Sequence, residues 1–373
     1  MISISDLLAL TQIPGIGANR IRTLVTHFGD TQSIVKASVR EIAACDGFSK
    51  KLASVIVHFY RSSQYEQAVK YSERQLSRLN KSEGKIVSLW EKSYPELLKK
   101  IYDPPPFLFY KGTIQETDRY SIAIVGTRNP SEYGISITEK FCEELSCLGI
   151  TVVSGLARGI DTVTHANVLK SGGRTLSVIG SGIDVIYPPE NRALFEKIIK
   201  NGSVISEYEM GAKPDAVNFP KRNRIISGLT LGTIVIETDV GGGAMITANT
   251  ALDQNREVFA LPGNVNSKKS KGCNMLIREG RAKLVECVDD VINEMMIGLK
   301  PILKSSPHRE SKPLPPINST EKNIYDLLSE NPIHIDEIAE RSKMSISDVL
   351  VNLLNLEFKG IVKQLPAKMF VRI

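Results

Sequence analysis

The stretch SIAIVGTRNPSEYG, residues 121–134, decides the fold class of this chain. It opens with a short apolar run that suits a strand buried on both faces, and a glycine turn then leads into a helical pattern from Ser136 to Leu148. A second apolar run, TVV at 151–153, follows that pattern. A strand, a helix and another strand at this spacing predict a unit of parallel sheet.

The same alternation continues toward the C-terminus. A helical pattern runs from Ala193 to Lys200, and the further apolar runs are TLSVI at 175–179, SVIS at 203–206, GTIVIE at 232–237 and EVFAL at 257–261. Runs that are apolar almost throughout are typical of strands covered by helices on both sides. The sequence therefore predicts an α/β core with a mostly parallel sheet.

Two helical segments flank the predicted core. Residues 1–80 show apolar spacings of three and four broken by glycines, which predicts a small all-α domain. Residues 81–298 are predicted to hold a connector, 81–115, followed by the α/β core. The connector has one amphipathic stretch and a break at its three consecutive prolines.

The C-terminal part divides into a linker and a small domain. Residues 299–319 are rich in Pro, Ser and Lys, which predicts a flexible linker. Residues 320–373 show helical patterns at Glu321–Leu328, Ile335–Ser342 and Ser347–Phe358, followed by a strand-like tail. Three helices with a β-ribbon predict a winged helix.

Composition narrows the class of protein. The 373 residues are 42% hydrophobic and 24% charged, which is ordinary for a globular chain of two or three domains. No apolar run approaches the roughly 18 residues of a membrane span, and the N-terminus lacks the basic region of a signal peptide. The five cysteines show no CxxC spacing and fit a reducing compartment. We therefore expect a cytoplasmic protein without a membrane contact.

The distribution of charge is uneven. The chain has 47 basic and 41 acidic residues, a net charge of +6. Residues 1–80 contribute 10 basic and 6 acidic residues, whereas residues 116–298 contribute 20 and 22. A site for a polyanion in the core must therefore be a local pocket, because no general field attracts the ligand.

Glycines follow almost every predicted strand of the core. They stand in Gly126-Thr127-Arg128, in 154–159, in 180–182, in 241–247 and in Pro262-Gly263. Each alone is explained by a tight turn. Together, at one edge of a parallel sheet, they predict an anion site built from backbone N–H groups. The GxxxxGK[ST] and GxGxxG patterns are absent, which argues against a P-loop or a dinucleotide site.

A basic cluster precedes the next helical pattern. The stretch NFPKRNRIISGL, residues 218–229, holds three cations, an amide and an aromatic ring. Guanidinium groups suit phosphate oxygens, and an aromatic face can stack on an unpaired base. The alternative is structural: Arg222 and Arg224 could pair with Glu207 or Glu237.

These motifs resemble, in order, those of the DNA-processing protein A family, called DprA or Smf. The resemblance rests on VGTRNPSEYG, VSGLARGIDTVTH, GSGIDVIYPPEN, FPKRNRIISGL, GGGAMITANTAL, REVFALPG and KGCNMLIREG, and it covers roughly residues 90–295. It implies an extended Rossmann-like core that binds single-stranded DNA, forms a homodimer and loads the RecA recombinase during natural transformation. Single-strand binding protein is a further implied partner. The resemblance implies no enzymatic activity and no cofactor.

Position by position, the resemblance assigns a set of DNA-binding residues. Cations contact phosphates, Phe219 stacks on a base or walls a pocket, and glycines supply backbone donors. The set is Gly126, Arg128, Gly155, Phe219, Lys221, Arg222, Asn223, Arg224, Gly241, Gly242, Gly243 and Thr247. One departure is Gly241-Gly242-Gly243-Ala244, where the family usually has Ser-Gly-Ser, so contacts through hydroxyls are lost.

The flanking domains give weaker signals. The stretch IPGIGANR resembles a helix-hairpin-helix turn in which Gly15, Gly17 and Arg20 form a secondary DNA contact, with a plain interhelical turn as the alternative. The third helical pattern of the winged helix holds Asp348 and Glu357 but only Lys359 as a base. A duplex reader usually shows basic or amide side chains there, so we favour a protein contact or a structural role.

Two other functions are weighed. The first is an enzyme related to nucleoside-monophosphate phosphoribohydrolases, but no carboxylate follows the glycine loop before Asp253. The second is a transcription regulator, against which the acidic balance of 320–373 argues. Asp161 and His165 lack a neighbouring nucleophile and are expected to be structural. No two histidines have metal-ligand spacing, so we predict no metal.

Overall fold

The computed structural model describes residues 2–303, 317–329, 332–365 and 368–372. These residues form two compact units, one within Met1–Ser306 and one within Pro307–Ile373. The first contains the N-terminal helices and a nine-stranded sheet, and the second contains three helices and a three-stranded sheet. Each unit has its own apolar core.

The nine-stranded sheet confirms the predicted α/β fold. Its strands are β1 (Lys85–Ser88), β2 (Phe107–Gly112), β3 (Ser121–Val125), β4 (Thr151–Ser154), β5 (Thr175–Val178), β6 (Gly202–Ser206), β7 (Gly232–Val235), β8 (Glu257–Ala260) and β9 (Lys283–Leu284). Their order in space is β1-β2-β6-β5-β4-β3-β7-β8-β9. All neighbours from β6 to β9 are parallel, whereas β2 pairs antiparallel with both β6 and β1.

Helices cover both faces of this sheet. In chain order the helices of the first unit are α1 (Ile4–Leu10), α2 (Ala18–Phe28), α3 (Thr31–Lys36), α4 (Val39–Ala43), α5 (Lys50–Arg61), α6 (Ser63–Lys81), α7 (Glu96–Lys99), α8 (Glu132–Cys147), α9 (Ile160–Lys170), α10 (Arg192–Asn201), α11 (Asn218–Gly228), α12 (Gly243–Asp253), α13 (Lys271–Arg278), α14 (Val288–Glu294) and α15 (Met296–Leu303). Successive residues of β3 alternate between two cores, since Ile122 and Ile124 pack with α8 and α9 while Ala123 and Val125 pack with α11 and α12. This alternation explains why the strand is apolar throughout.

The N-terminal helices share a core with the sheet. Leu7 and Leu24 belong to the same apolar cluster as Phe109 of β2 and Phe195 of α10. Helix α6 adds polar contacts, because the side chain of Gln75 accepts a hydrogen bond of 2.8 Å from the N–H of Met210. The predicted domain boundary at residues 80 and 81 stays a prediction, and the apolar packing runs across it.

Two of the sequence expectations need correction. The connector 81–115 contains strands β1 and β2, which extend the sheet by an antiparallel pair. Residues 304–316 of the predicted linker 299–319 lie outside the described residues. Its first part is helical, because α15 continues to Leu303 and buries Leu299 completely against the sheet. An apolar side chain that packs in this way orders a segment of linker-like composition.

The second unit has the predicted winged-helix plan. It contains α16 (Ser319–Leu327), β10 (Ile333–His334), α17 (Ile335–Ser342), α18 (Ile346–Phe358), β11 (Val362–Leu365) and β12 (Met369–Arg372). The strands form an antiparallel sheet in the order β10-β12-β11. Each helix begins at a polar cap, for example Asn318, whose side chain accepts from the N–H of Glu321 while the Glu321 carboxylate accepts in return.

Candidate nucleic-acid interface

A cleft of about 680 Å³ opens at the carboxyl ends of β3, β4 and β7. The chain runs from β3 to β6 on one side of β3 and returns with β7 on the other side, so the cleft lies where the strand order reverses. Ligands of open parallel sheets bind at this position. Eight of the twelve predicted DNA-binding residues line the cleft: Gly126, Arg128, Phe219, Arg222, Asn223, Gly242, Gly243 and Thr247.

Arg222 places a buried cation in the wall of this cleft. Its side chain, on α11, is 4% exposed, and its Nη2 donates a hydrogen bond of 2.9 Å to the carbonyl of Gly155. Its Nε has no hydrogen-bond partner among the described residues. Burial lowers the pKa of the guanidinium to about 10, an effect that the nearby Asp161 opposes, so the group is charged at neutral pH. A buried cation with unused donor capacity is suited to an anionic ligand.

Gly155 has a different role from the one predicted for it. The residue is buried, and a Cβ at this position would lie 1.9 Å from Nη1 of Arg222. Its N–H is directed to the carboxylate of Asp161, where it lowers the pKa of that acid. We therefore correct its assignment: Gly155 leaves room for the Arg222 guanidinium and does not offer a free backbone donor to the cleft.

Arg128 and two aromatic rings form the exposed part of the cleft. The Arg128 guanidinium lies 5.8 Å from the centre of the Phe219 ring, and the ring of Tyr187 lies 5.7 Å from the same ring. Within the described residues, Arg128 makes no hydrogen bond and no ion pair. Its charge helps to lower the pKa of Arg222, because two cations stand close together. An anion placed between them would relieve this repulsion.

Tyr187 also lines the cleft, although it is not among the residues predicted from the sequence. The signal that could have found it is an aromatic residue in a glycine- and proline-rich loop that follows a core strand. Gly180, in the same loop, packs against the Phe219 ring, because a Cβ at this position would lie 3.3 Å from the ring edge.

The first turn of α12 supplies backbone donors to the cleft. Gly242 is the N-cap residue, and its own N–H is used in a hydrogen bond of 2.9 Å to the carbonyl of Asp239. The N–H groups of Gly243 and Ala244 have no acceptor within the described part of the chain. They carry the positive end of the helix dipole. Thr247 is buried one turn further along.

Gly241 and Gly243 are not required by packing. A Cβ at either position would meet no atom of the described residues within 4 Å, and neither residue has a positive φ. Gly242 is different, because a Cβ there would lie 2.3 Å from Oγ1 of Thr238. The loop therefore keeps an open approach to its backbone without the hydroxyls that the family pattern usually carries.

The loop after β3 is held by Glu237. This buried carboxylate accepts hydrogen bonds from the N–H of Ser131, at 2.8 Å, and from its hydroxyl. Its backbone carbonyl accepts from the N–H of Thr127 at 2.7 Å. Gly126, at the start of the loop, packs against Ile160, whose side chain lies 2.6 Å from the position of a Cβ. Glu237 thus fixes the loop that carries Arg128 and does not pair with either arginine of α11.

Arg224 and Lys221 lie outside the cleft. Arg224 pairs with Glu207 at 2.5 Å and with Asp103 at 2.8 Å, and its side chain is 15% exposed. The structural alternative was therefore correct for Arg224 with Glu207, and the predicted phosphate contact is not supported by its position. Alternate faces of α11 explain the difference from Arg222, which stands two residues earlier. Lys221 is exposed on α11 but does not line the cleft.

Asp161 and His165 lie beneath the cleft on α9. Both are buried, and the Nδ1 of His165 lies 2.7 Å from the hydroxyl of Thr175. Burial lowers the pKa of His165 to about 3, with the Arg222 charge as a smaller cause. Burial raises the pKa of Asp161, while Arg222 and backbone N–H groups oppose this shift. Both residues support the wall that carries Arg222.

The predicted secondary contact forms a separate hollow of about 430 Å³. Gly15, Gly17 and Arg20 line it together with Asp103. Gly15 has φ +81°, which explains the glycine, and its carbonyl accepts a hydrogen bond from Arg20. Arg20 is therefore partly committed to its own turn. Asp103 also pairs with Arg224, so this hollow and α11 share one carboxylate.

Among the residues that the structure describes, no group of three or more His, Cys, Asp or Glu side chains is arranged to hold a metal ion. In the same part of the chain, no helix is long and apolar enough to cross a membrane.

Known protein families match all three parts of the chain. The model of DNA recombination-mediator protein A matches residues 85–296, the DprA winged helix domain matches 308–368, and a SAM-like helix-hairpin-helix tandem matches 7–59. These matches confirm the predicted resemblance, including the nature of both flanking regions.

Sequences and solved structures of relatives match this chain over much of its length. Protein Smf of Synechocystis is 32% identical over 398 residues, which cover 98% of each chain. The X-ray structure of DNA processing protein A from Streptococcus pneumoniae has a TM-score of 0.67 at 32% identity and covers 79% of this chain and 98% of that one. A Helicobacter pylori structure, described as showing the single-stranded DNA binding mode of its DNA processing protein A, has a TM-score of 0.52 at 30% identity. It covers 57% of this chain and 96% of that one.

The cleft at the strand-order reversal, the two flanking regions and the match along the whole chain agree with one another. This chain belongs to the DNA recombination-mediator protein A family, also called DprA or Smf.

Proposed function

We propose that the cleft binds the phosphate backbone of single-stranded DNA, and that Phe219 and Tyr187 stack on its unpaired bases. The observation that carries the proposal is the position of Arg128, which forms no hydrogen bond or ion pair with any described residue and lies over an aromatic ring at the mouth of the cleft. Arg222 and the first turn of α12 supply further positive charge beneath it. Phosphates then neutralise the cations while the rings take the bases.

The cleft has little net positive charge. We therefore expect it to bind a strand through specific contacts and not through general attraction of any polyanion. Its lining also includes Asp161, which is buried, and Asp239, which lies 3.5 Å from the ammonium of Lys268. These carboxylates offset much of the arginine charge, so binding depends on direct contacts at fixed points. Stacking requires bases with free faces, which a duplex does not offer. We therefore expect preference for single strands.

We extend the proposal to a mediator role. In it, the bound strand is passed to RecA during natural transformation or homologous recombination, with single-strand binding protein as the component displaced and a homodimer as the working form. Support comes from membership of the family. We place the activity in the cytoplasm, where the five free cysteines stay reduced.

We propose binding and not catalysis at this site. Helix α12 has no acidic residue before Asp253, which stands at its last position, far along the helix from the cleft. The Asp239 carboxylate accepts a hydrogen bond of 2.9 Å from the N–H of Val240 and contacts Lys268. A glycosidic cleavage needs a carboxylate free to act near the anion site. Ribose release from nucleoside monophosphates by the purified protein would contradict this part of the proposal.

Fluorescence anisotropy of a labelled oligo-dT strand tests the DNA site. The comparison is between wild type and the Arg128→Ala variant at two salt concentrations, with unlabelled duplex as competitor. We expect binding that weakens with salt, resists the duplex and falls about tenfold or more in Arg128→Ala, since a hydrogen bond to a charged group contributes about 1.5–3 kcal/mol. The salt dependence should also become shallower.

Arg119→Ala is the matched control. This arginine is also exposed, but it lies before β3, at the amino ends of the strands, where it contacts Tyr120. The control removes the same charge from the opposite edge of the sheet. Equal losses in both variants would show that net charge and not the cleft drives binding. Unchanged binding in Arg128→Ala would remove the cleft as the site.

A further inference from the structure

The outer face of helix α11 carries a cation without a partner among the described residues. Lys221 is exposed there, three residues before Arg224, so the two side chains lie on one stripe of the helix. Burial raises the pKa of Glu207, and the charges of Arg224 and Lys221 oppose this shift, which places Lys221 close to that carboxylate. Phe219 and Arg222 of the same helix line the cleft. Lys221 therefore stands at the border of the cleft.

A segment of the connector runs along the same stripe. Asp103 pairs with Arg224 at 2.8 Å. Ile101 is buried beside Gly228, one turn further along α11, where a Cβ would lie 3.1 Å from Cγ2 of Ile101. Residues 221, 224 and 228 share one face of the helix, so the segment extends away from Lys221 on that face.

Tyr102 lies between these two anchors and is 88% exposed. The segment is also held after the ring, because the carbonyl of Pro104 accepts a hydrogen bond of 3.4 Å from Nη1 of Arg22 on α2. The next residue, Asp103, lines the hollow of the N-terminal helices. A single exposed apolar side chain is ordinary on a protein surface, but a ring on a fixed backbone beside a candidate DNA contact is suited to stacking.

The carboxylates that contact this stripe are already paired. Asp103 and Glu207 both contact Arg224, at 2.8 and 2.5 Å, so their charges are largely offset. Lys221 has no such partner among the described residues and can take a phosphate. A free cation near an exposed ring is the combination that single strands bind, through phosphate neutralisation and base stacking. A duplex has no free base face for the ring.

We propose that single-stranded DNA leaves the cleft along this stripe of α11, where Lys221 contacts a phosphate and the ring of Tyr102 stacks on a base. We call Lys221 and Tyr102 together the α11 track. Lys221 and Arg224 stand about 4.5 Å apart along the helix axis, so a strand held at Lys221 passes close to the segment that pairs with Arg224. The proposal rests on strand binding in the cleft, and it adds a path from the cleft toward the hollow.

Photo-cross-linking of the full-length chain tests the position of the ring. Oligo-dT that carries 5-iododeoxyuridine is irradiated with the protein, and the modified residues are identified by mass spectrometry. Phe358 is the control, because its ring, in the second unit, is exposed to a similar degree, 89%. We expect adducts on Tyr102 and none on Phe358. Adducts on the cleft rings alone, or equal adducts on Tyr102 and Phe358, would overturn the track.

Affinity for oligo-dT separates the roles of the two residues. Tyr102→Ala should weaken binding about fivefold or more, because stacking on the ring is lost, with an unchanged dependence on salt. Tyr102→Phe, which keeps the ring, should bind as wild type does. In Lys221→Ala the slope of log affinity against log salt should become shallower by about 0.7, the value of one phosphate contact with a single strand.

The remaining variants separate the track from the cleft. Phe358→Ala removes an equally exposed ring and should leave the affinity unchanged. Wild-type affinity in both Tyr102→Ala and Lys221→Ala, together with a loss in Arg128→Ala, would overturn the track and leave the cleft as the site. If Arg128→Ala also binds as wild type does, the cleft and the track both fail.

Discussion

Replacing Gly155 with alanine should destabilise the first unit through Arg222. The new Cβ would lie 1.9 Å from Nη1 and 2.7 Å from Cζ of that guanidinium, so the group must move. It then loses its 2.9 Å hydrogen bond to the Gly155 carbonyl while remaining buried. A hydrogen bond to a charged group contributes about 1.5–3 kcal/mol, and an uncompensated buried charge costs about 3–5 kcal/mol. We expect a loss of about 3 kcal/mol in the free energy of unfolding.

Denaturant unfolding followed by tryptophan fluorescence measures this loss. Trp90 is the only tryptophan of the chain, and it packs against the cores of the first unit, so its signal reports that unit alone. Gly241→Ala is the control, because a Cβ there would lie more than 4 Å from every described neighbour. We expect the control to be neutral or more stable by up to about 1 kcal/mol, through the lower entropy of its unfolded chain.

A double-mutant cycle with Arg222→Met decides the cause. Methionine removes the guanidinium, so Gly155→Ala should cost far less in that background. Contacting residues show coupling of about 0.5–3 kcal/mol in such cycles, whereas independent sites add within about 0.5 kcal/mol. An equal cost of Gly155→Ala in both backgrounds would refute the clash with Arg222 as the reason for this glycine.

Three further outcomes are expected. Gly243→Pro removes one N–H at the first position of α12, where proline is tolerated. The affinity for oligo-dT should fall about tenfold relative to Gly243→Ala, while the free energy of unfolding stays unchanged. Equal affinities would exclude that N–H as a donor to the strand. Arg224→Ala leaves Glu207, whose side chain is 15% exposed, without its arginine partner, so the unfolding free energy should fall by about 3 kcal/mol while the salt dependence of DNA binding stays constant. A shallower dependence would restore Arg224 as a phosphate contact. The pKa of His165 is lowered from 6.5 to about 3, so below pH 6.5 the unfolded chain binds a proton that the folded chain does not. The free energy of unfolding should therefore fall toward pH 3 by up to about 1.4 kcal/mol per pH unit. His165→Asn should flatten this part of the profile, and an identical profile would show that other groups cause it.

The pattern of apolar residues along the sequence was sufficient to predict most of the fold. The apolar runs of β3 to β8 are buried on both faces, so they stand out from the amphipathic helices around them. Strand β1 was missed because it is only four residues long, and β2 because three prolines stand directly before it. The pairing of β2 with β6 also depends on residues distant in the sequence. Leu299 was assigned to a linker by composition, although its burial against the sheet extends a helix.

The candidate site was predictable as a set of strand ends but not residue by residue. Arg222 and Arg224 stand in one basic cluster, and the sequence alone could not separate the arginine that faces the cleft from the one that pairs with Glu207 and Asp103. Gly155 was predicted from its position, but its role depends on the guanidinium packed against it. Tyr187 reaches the cleft from a loop whose path no local pattern fixes.

The apolar core that the N-terminal helices share with the sheet has a consequence for the DNA binding proposed above. Leu24 and Phe109 belong to one packed cluster, so the hollow lined by Gly15, Gly17 and Arg20 and the cleft lie in the same compact unit. The distance between the two candidate contacts is then expected to be fixed. Affinity for oligonucleotides of increasing length should rise in one step, at the length that first spans the gap, and that length should be the same at every salt concentration.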